Sequence, residues 1–289
     1  MFKALNEVGT LGNDKVQLKI IYQDDTFVAI DKPAGMMTHR SRIAEDDEPS
    51  AMERLRDQLG TWVYPIHRLD RATSGVLVFG LNKTSARVLH ESFAQGQAQK
   101  TYWAITRGHA PIEQFIDRPL KEKRDRITDK KAQVDKAAQE AQTAVKTLVH
   151  LTLPVSLGRY SSARFSLVEV SPLTGRRHQI RRHLAGINYP IIGDTTHGRG
   201  EQNRFFRAHF KSHRLLLAAV TLKLNHPITG QSLDLNAPVS GVMQQLCSEY
   251  FFQGERAIET ELIQRDAGLI SQCLCLKDLS GFRHLLASL

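Results

Sequence analysis

Short apolar runs alternate with turn signals along most of the chain and predict a protein rich in β-strands. The runs are rich in Val, Ile, Leu and aromatic residues, and Gly, Pro, Asn or Asp bound them. A turn of residues 72–75 precedes the most continuous of these runs, which is typical of a central strand. We expect strands in KIIY (19–22), FVAI (27–30), VYPI (63–66), VLVFGL (76–81), KTYWAITRG (100–108), VKTLVHLTL (145–153), RFSLVEV (164–170), LLLAAVTLKL (215–224) and QSLDLNAP (231–238).

Four segments instead show helical periodicity. MERLRDQL at 52–59 follows Ser50 and stops at Gly60, and KTSARVLHESFAQ at 83–95 is amphipathic. RRHQIRRHLAGI at 176–187 places its apolar residues on one face, with Thr174 as the expected N-cap. VMQQLCSEYF at 242–251 predicts a last helix.

The order of these elements indicates one α+β domain over residues 1–253. Neither a repeat of fixed period nor a linker rich in Gly, Ser or Pro divides the chain. We therefore expect an extensive mixed or antiparallel sheet flanked by helices. Residues of about 121–147 lack a stable apolar period and predict an exposed insertion, and 254–289 predict a C-terminal helical appendage.

Composition narrows the class of function. The 289 residues carry 39 Lys and Arg against 30 Asp and Glu, a formal net charge of +9, which favours a polyanionic partner. Three cysteines do not make a disulfide framework, and no apolar run approaches a membrane span. We expect a cytoplasmic monomer without a membrane partner.

The basic charge is concentrated between residues 176 and 214, where nine basic residues face two acidic ones. Eight of the nine are arginines, whose planar fork suits phosphate oxygens. Histidines, Phe205 and Phe206 interleave them, which is typical of a groove that binds nucleic acid. The alternative is an ordinary solvated face. The candidate RNA-binding residues of this stretch are Arg176, Arg199, Arg204 and Arg207.

Asp70 is the first candidate for chemistry. It lies in HRLDR at 67–71, between two arginines that favour its ionised, nucleophilic form. A strand-end salt bridge explains the same local pattern, and Tyr102 at a strand start is equally consistent with core packing.

Four motifs in order resolve this ambiguity. IDKPAGMMTHR (30–40), HRLDRATSGVLVF (67–79), KTYWAITRG (100–108) and LTGRRHQIRRHL (173–184) resemble the motifs of the RluA-type pseudouridine synthases, over about residues 18–240. PIIGDTTHGRGEQNRFFR at 190–207 resembles most the subfamily that acts on uridine 65 of tRNA. The resemblance implies an RNA-modifying isomerase that converts uridine to pseudouridine.

The resemblance also implies roles for five residues. Asp70 would initiate breakage of the N1–C1′ bond, and Arg68 would displace the target base. Tyr102 would stack beneath the uracil and take part in removing the C5 proton. Arg181 would pair with Asp70, and Ile180 would wall the pocket.

This chemistry needs no cofactor and no metal. The histidine pairs lack the third ligand and the activating glutamate of a zinc enzyme, and the glycines match neither a P-loop nor a dinucleotide-binding pattern. Two alternatives stay open: an rRNA-directed enzyme of the same family, and a non-catalytic RNA-binding module. Asp70, Tyr102 and Arg181, all retained, argue against the second.

Overall fold

The computed structural model of the chain describes residues 17–40, 48–121, 137–158, 160–252 and, by their backbone, 261–262. The strands are β1 (Lys19–Gln23), β2 (Phe27–Lys32), β3 (Tyr64–Pro65), β4 (Ser74–Gly80), β5 (Gln99–Arg107), β6 (Glu113–Asp117), β7 (Gln142–Leu153), β8 (Ala163–Pro172), β9 (Leu217–Asn225), β10 (Ser232–Asn236) and β11 (Glu261–Leu262). The helices are α1 (Ala51–Leu59), α2 (Lys83–Ala94), α3 (Gln179–Gly186), α4 (Gly200–Phe210) and α5 (Gly241–Leu246), which continues into a π-helical segment at Cys247–Phe251.

The described strands form one mixed sheet. Its main order is β1-β2-β4-β9-β5-β8-β7-β11, and β3, β10 and β6 pair with β4, β9 and β7 respectively. Among the pairs that the structure describes, β4 with β9 is parallel and the rest are antiparallel. The predicted α+β fold with an extensive mixed sheet is confirmed.

The parallel contact of β4 with β9 depends on Gly75. Its φ is +112°, and a Cβ placed on it would lie 2.0 Å from the carbonyl oxygen of Ala219. Only glycine permits this backbone approach. Ser74 and Gly75 are therefore strand residues, and their placement in a turn at 72–75 was wrong. The short loop before β4 carries Asp70 to this junction of the sheet.

Strand β5 separates two cores because successive side chains of a strand point to opposite faces. Tyr102 packs in the core that contains Ile180, whereas Trp103 packs in the core that contains Phe205 and Phe206. These two phenylalanines are 8% and 2% exposed. Their expected place in an RNA-facing groove was wrong, because the apolar face of α4 packs on the sheet.

The four predicted helical segments are helical, but α3 begins later than expected and α4 was not predicted. Ser50 and Glu53 form a capping box on α1, and Gly60 ends that helix in the left-handed region. Helix α3 begins at Gln179, and Thr174 is not its N-cap. The Thr174 hydroxyl instead donates to Gln179 Oε1 at 2.7 Å.

The predicted insertion is shorter than expected at its C-terminal end. Residues 122–136 lie outside the described residues, but β7 begins at Gln142. Thr143, Val145 and Thr147 alternate along β7 with exposures of 0%, 4% and 0%. The prediction was wrong there because threonine counts as a polar residue, so the buried threonines hid the alternation of buried and exposed positions that marks a strand.

Of the predicted helical appendage at 254–289, the structure describes only Glu261–Leu262. These two residues pair with the β7 edge as β11, so a helix is wrong at that point, where the strand offers unpaired backbone groups. Within the described ranges no helix is both long and apolar enough to cross a membrane.

Candidate active site

The loop that carries Asp70 is fixed by the chain segment that follows β2. The Thr38 hydroxyl donates to the Leu69 carbonyl at 3.1 Å and accepts from the Leu69 N–H at 3.3 Å. The Gly35 N–H donates to the Arg71 carbonyl at 2.8 Å. Asp70 therefore lies between two anchored neighbours, and residues of the first sequence motif border the site.

Lys32 holds these two segments together from inside. Its ammonium is fully buried and donates to the carbonyl oxygens of Pro33 (2.8 Å), Met36 (2.7 Å) and Arg71 (3.3 Å). Burial lowers the pKa of Lys32 to about 7, helped by the nearby charge of Arg214. Sequence reasoning missed the contacts of this lysine, although it begins the Lys-Pro-Ala-Gly run of the first motif.

Arg181 links two carboxylates from different parts of the chain. Its Nη1 donates to Asp70 Oδ2 at 3.0 Å, while Nε and Nη2 donate to the two carboxylate oxygens of Asp194 at 2.8 and 2.9 Å. The side chains of Arg181 and Asp194 are 8% and 1% exposed, and that of Asp70 is 27% exposed. The expected ion pair of Arg181 with Asp70 is present, and the planar guanidinium is oriented by a bidentate contact.

Asp194 is a site residue that sequence reasoning missed. Its carboxylate also accepts from the backbone N–H groups of Thr196 and His197, both at 2.9 Å. Burial alone would raise the pKa of Asp194, but the hydrogen bonds from Arg181 and the backbone hold it below its usual value. One sequence feature could have pointed to Asp194: it is one of only two acidic residues in the basic stretch at 176–214.

Asp70 lines a pocket of about 800 Å³. Tyr102, Ile180 and Leu217 supply apolar wall, and Tyr102 is only 9% exposed. Burial, together with the charge of Asp70, raises the pKa of the Tyr102 hydroxyl. A flat ring and a carboxylate thus line the same pocket.

The predicted basic residues divide into two groups. Arg68 and Arg176 are exposed and line the Asp70 pocket. The exposed Arg177 and the half-buried Arg182 line it as well. The second group lies elsewhere, on α4 and at its N-terminus, and is exposed. We call it the α4 arginines: Arg199, Arg204 and Arg207.

The α4 arginines do not line the Asp70 pocket. Arg199 lines a separate depression of about 540 Å³ with Arg107 and Tyr160, and the other two line neither depression. Arg214, at the end of the basic stretch, is half-buried and donates to the Ser74 hydroxyl at 2.7 Å. The stretch is therefore not one continuous RNA-facing surface.

His178 reaches the site from the N-cap position of α3. Its backbone is in the left-handed region, with φ 54°. Its Nε2 is 3.8 Å from Asp70 Oδ2, and its Nδ1 is 3.3 Å from His197 Nε2. Within the described ranges, no three His, Cys, Asp or Glu side chains are placed to hold a metal ion.

The fold and the site together define an RNA-modifying enzyme. The chain belongs to the RNA pseudouridylate synthase family, whose model matches residues 26–186. The match contains Asp70, Tyr102 and Arg181.

Curated relatives named tRNA pseudouridine synthase C are similar over most of the chain. The protein from Vibrio cholerae is 48% identical over 236 residues, which cover 82% of this chain and 97% of the relative. The protein from Yersinia pestis is 46% identical over 237 residues, covering 82% and 92%.

Solved structures share the fold. Human RNA Pseudouridylate Synthase Domain Containing 4 aligns with a TM-score of 0.59 and 27% identity over 80% of this chain and 92% of that chain. Human RNA Pseudouridylate Synthase Domain Containing 1 aligns with a TM-score of 0.65 over 93% and 98%, at 21% identity, and this likeness concerns the fold alone.

Proposed function

We propose that this protein converts a uridine of tRNA to pseudouridine, at position 65. The observation that carries this proposal is that Arg181 binds the carboxylate of Asp70 at 3.0 Å, in a pocket that the ring of Tyr102 also lines. The tRNA substrate is supported by relatives that bear that name and are 48% and 46% identical to this chain. The enzyme acts as a cytoplasmic monomer and needs neither a cofactor nor a metal.

Asp70 initiates the reaction by breaking the N1–C1′ bond of the target uridine. Its carboxylate remains an available nucleophile because Arg181 binds only one of its oxygens, and the side chain is 27% exposed toward the pocket. Asp194 acts through Arg181, as a positioning residue. The bidentate contact between them fixes the guanidinium, and hence the direction in which Asp70 points.

Tyr102 and Ile180 hold the detached uracil while it turns over. A flat ring and an aliphatic side chain give the base a surface to lie on without fixing its in-plane orientation. Because the pocket wall is apolar there, water is kept from the opened sugar. Arg68 occupies the space that the extruded nucleotide leaves in the RNA.

RNA affinity comes from arginines outside the reacting centre. Arg176 contacts phosphates at the pocket rim, and the α4 arginines contact phosphates farther along the RNA. Guanidinium groups on an exposed face suit phosphate oxygens, and such contacts position the RNA without reading its sequence.

Mapping of pseudouridines tests this function. Carbodiimide-induced reverse-transcription stops are compared in total RNA from cells with and without the gene. We expect the loss of a stop in tRNA, at position 65, and its return on complementation. Loss of a stop only in rRNA would favour the rRNA-directed alternative, and unchanged stops in both RNAs would favour a non-catalytic module.

A further inference from the structure

Completion of the proposed reaction requires a group that accepts a proton from C5. Once C5 has bonded to C1′, it is tetrahedral and keeps its hydrogen, and a double bond joins N1 to C6. The C5–H bond must then break. Its electron pair forms the C5=C6 double bond, the N1=C6 π pair moves to N1, and N1 takes a proton from water.

The resemblance implies that Tyr102 takes part in removing this proton, but a buried tyrosine is poorly suited to accept it. A phenol acts as a base only as phenolate, and burial together with the charge of Asp70 raises the pKa of Tyr102 and keeps it protonated. Arg181 has no acceptor atom, and each of its three side-chain nitrogens donates to one of two carboxylates. Asp70 already serves the N1–C1′ bond.

The histidines of the pocket wall differ in whether a ring nitrogen is available. His67 Nε2 accepts the backbone N–H of Val78 at 3.2 Å, so this lone pair is already used. His90 is exposed to solvent on α2. His178 brings Nε2 to 3.8 Å from Asp70 Oδ2, which is too long for a hydrogen bond.

The contact between the rings of His178 and His197 is compatible with the tautomer that a base requires. When Nδ1–H donates to His197 Nε2 at 3.3 Å, the lone pair of Nε2 faces Asp70 and the pocket. The left-handed backbone of His178, with φ 54°, is costly for a residue with a Cβ. That cost marks a strained backbone at the pocket, of the kind that clusters at functional sites.

Burial above all keeps His178 neutral at neutral pH. Burial lowers its pKa to about 4, the positive charges of Arg181 and Arg177 and the ring of His197 act in the same direction, and the charge of Asp70 opposes them. A neutral imidazole in the pocket is able to accept a proton.

We propose that His178 Nε2 accepts the C5 proton of the rearranged base, an assignment that rests on the proposed function. The resulting imidazolium gives this proton to water, so the histidine is regenerated and the reaction remains an isomerisation. Asp70 thus opens the first bond, and His178 completes the second half of the reaction.

The test uses His178→Asn, because asparagine tolerates the left-handed backbone but its amide is not a base at neutral pH. Single-turnover rates are measured with tRNA transcripts that contain either ordinary or C5-deuterated uridine. We expect the rate at saturating RNA to fall by roughly 10²- to 10⁴-fold, with tRNA affinity retained. We also expect a deuterium isotope effect that is larger in the variant than in the native enzyme, because C5–H cleavage becomes limiting.

His213→Asn is the matched control, since His213 is exposed and does not line the Asp70 pocket. It should leave the rate and the isotope effect unchanged. Urea unfolding and measurement of tRNA affinity show whether His178→Asn has a folding defect or a chemical one. If the variant is less stable, the deuterium isotope effect on the reaction of bound RNA still shows whether C5–H cleavage has become limiting.

Three results would overturn the assignment. The first is a rate within about threefold of native for His178→Asn. The second is a slow rate without a larger isotope effect, because the block would then precede C5–H cleavage. The third is the larger isotope effect in Tyr102→Phe instead. Failure of the native enzyme to form pseudouridine in tRNA would instead refute the proposed function.

Discussion

Replacement of Arg181 by methionine should destabilise the protein by about 3 kcal/mol at neutral pH. The change leaves the Asp194 carboxylate, which is 1% exposed, without its bidentate partner. Removal of one member of a buried pair costs about 3–5 kcal/mol. The lower end applies because Asp194 keeps the hydrogen bonds from Thr196 and His197. Asp70 adds less than about 1 kcal/mol, since its side chain is 27% exposed.

The pH dependence of this loss identifies its cause. Native Asp194 has a folded pKa below its unfolded value, so its stabilising contribution is present above the unfolded pKa and is lost as pH falls through the folded pKa. Arg181→Met lacks this contribution. The difference in stability between the native protein and the variant should therefore be largest near pH 7 and should narrow below about pH 4.

Urea unfolding followed by far-UV circular dichroism measures both quantities. The double variant Arg181→Met with Asp194→Leu is the control, because replacing both members of a buried pair by apolar side chains is often nearly neutral. It should recover at least about half of the lost stability but none of the activity, since Asp70 stays without its partner. A loss below about 1 kcal/mol for Arg181→Met, or one that does not change with pH, would refute the assigned role of the pair.

Two further predictions concern RNA binding and the sheet junction. Neutralising the α4 arginines together should weaken tRNA binding, with little change in turnover at saturating RNA. The slope of log affinity against log salt should become shallower by about 0.7–0.9 for each lost phosphate contact. An unchanged slope would show that these residues do not contact the RNA. Gly75→Ala should cost more stability in urea unfolding than Gly230→Ala, by at least about 2 kcal/mol, because both have positive φ but only Gly75 meets the backbone of Ala219. Equal losses would contradict that contact.

Most strands of the sheet could be predicted from the sequence because they are locally marked, whereas β6, with its mostly polar residues, was not predicted. The runs around Val76–Phe79 and Leu217–Val220 are apolar and bounded by turn residues, and they became β4 and β9. The parallel pairing of these strands was not predictable. It depends on the approach of Gly75 to Ala219, which are far apart in the chain, and local patterns carry no information on such contacts.

The site could be predicted only as far as its motifs. Asp70, Tyr102 and Arg181 were found because they lie in recognisable runs, and the structure places them around one pocket. Asp194 and Lys32 were missed because their importance comes from burial and from hydrogen bonds to distant residues. A charged residue that is fully buried looks the same in sequence as one on the surface.

The phenylalanines of α4 illustrate the opposite error. Phe205 and Phe206 lie among arginines in sequence, which suggested a groove that binds nucleic acid. On a helix, however, residues adjacent to arginines can face the other way, and both rings pack on Phe165 beneath the sheet. Charge density along a chain is therefore a poor guide to which face of a helix is exposed.

The most direct test of the proposed activity is release of tritium from a tRNA transcript that carries uridine labelled at C5, comparing the native protein with Asp70→Asn. Asparagine is nearly the same size as aspartate but is not a comparable nucleophile, so folding and tRNA affinity should be retained. The native protein should release the label from one uridine and form pseudouridine there, at position 65, while Asp70→Asn should release none. Release by Asp70→Asn at a rate near that of the native protein, or no release by the native protein, would contradict the account.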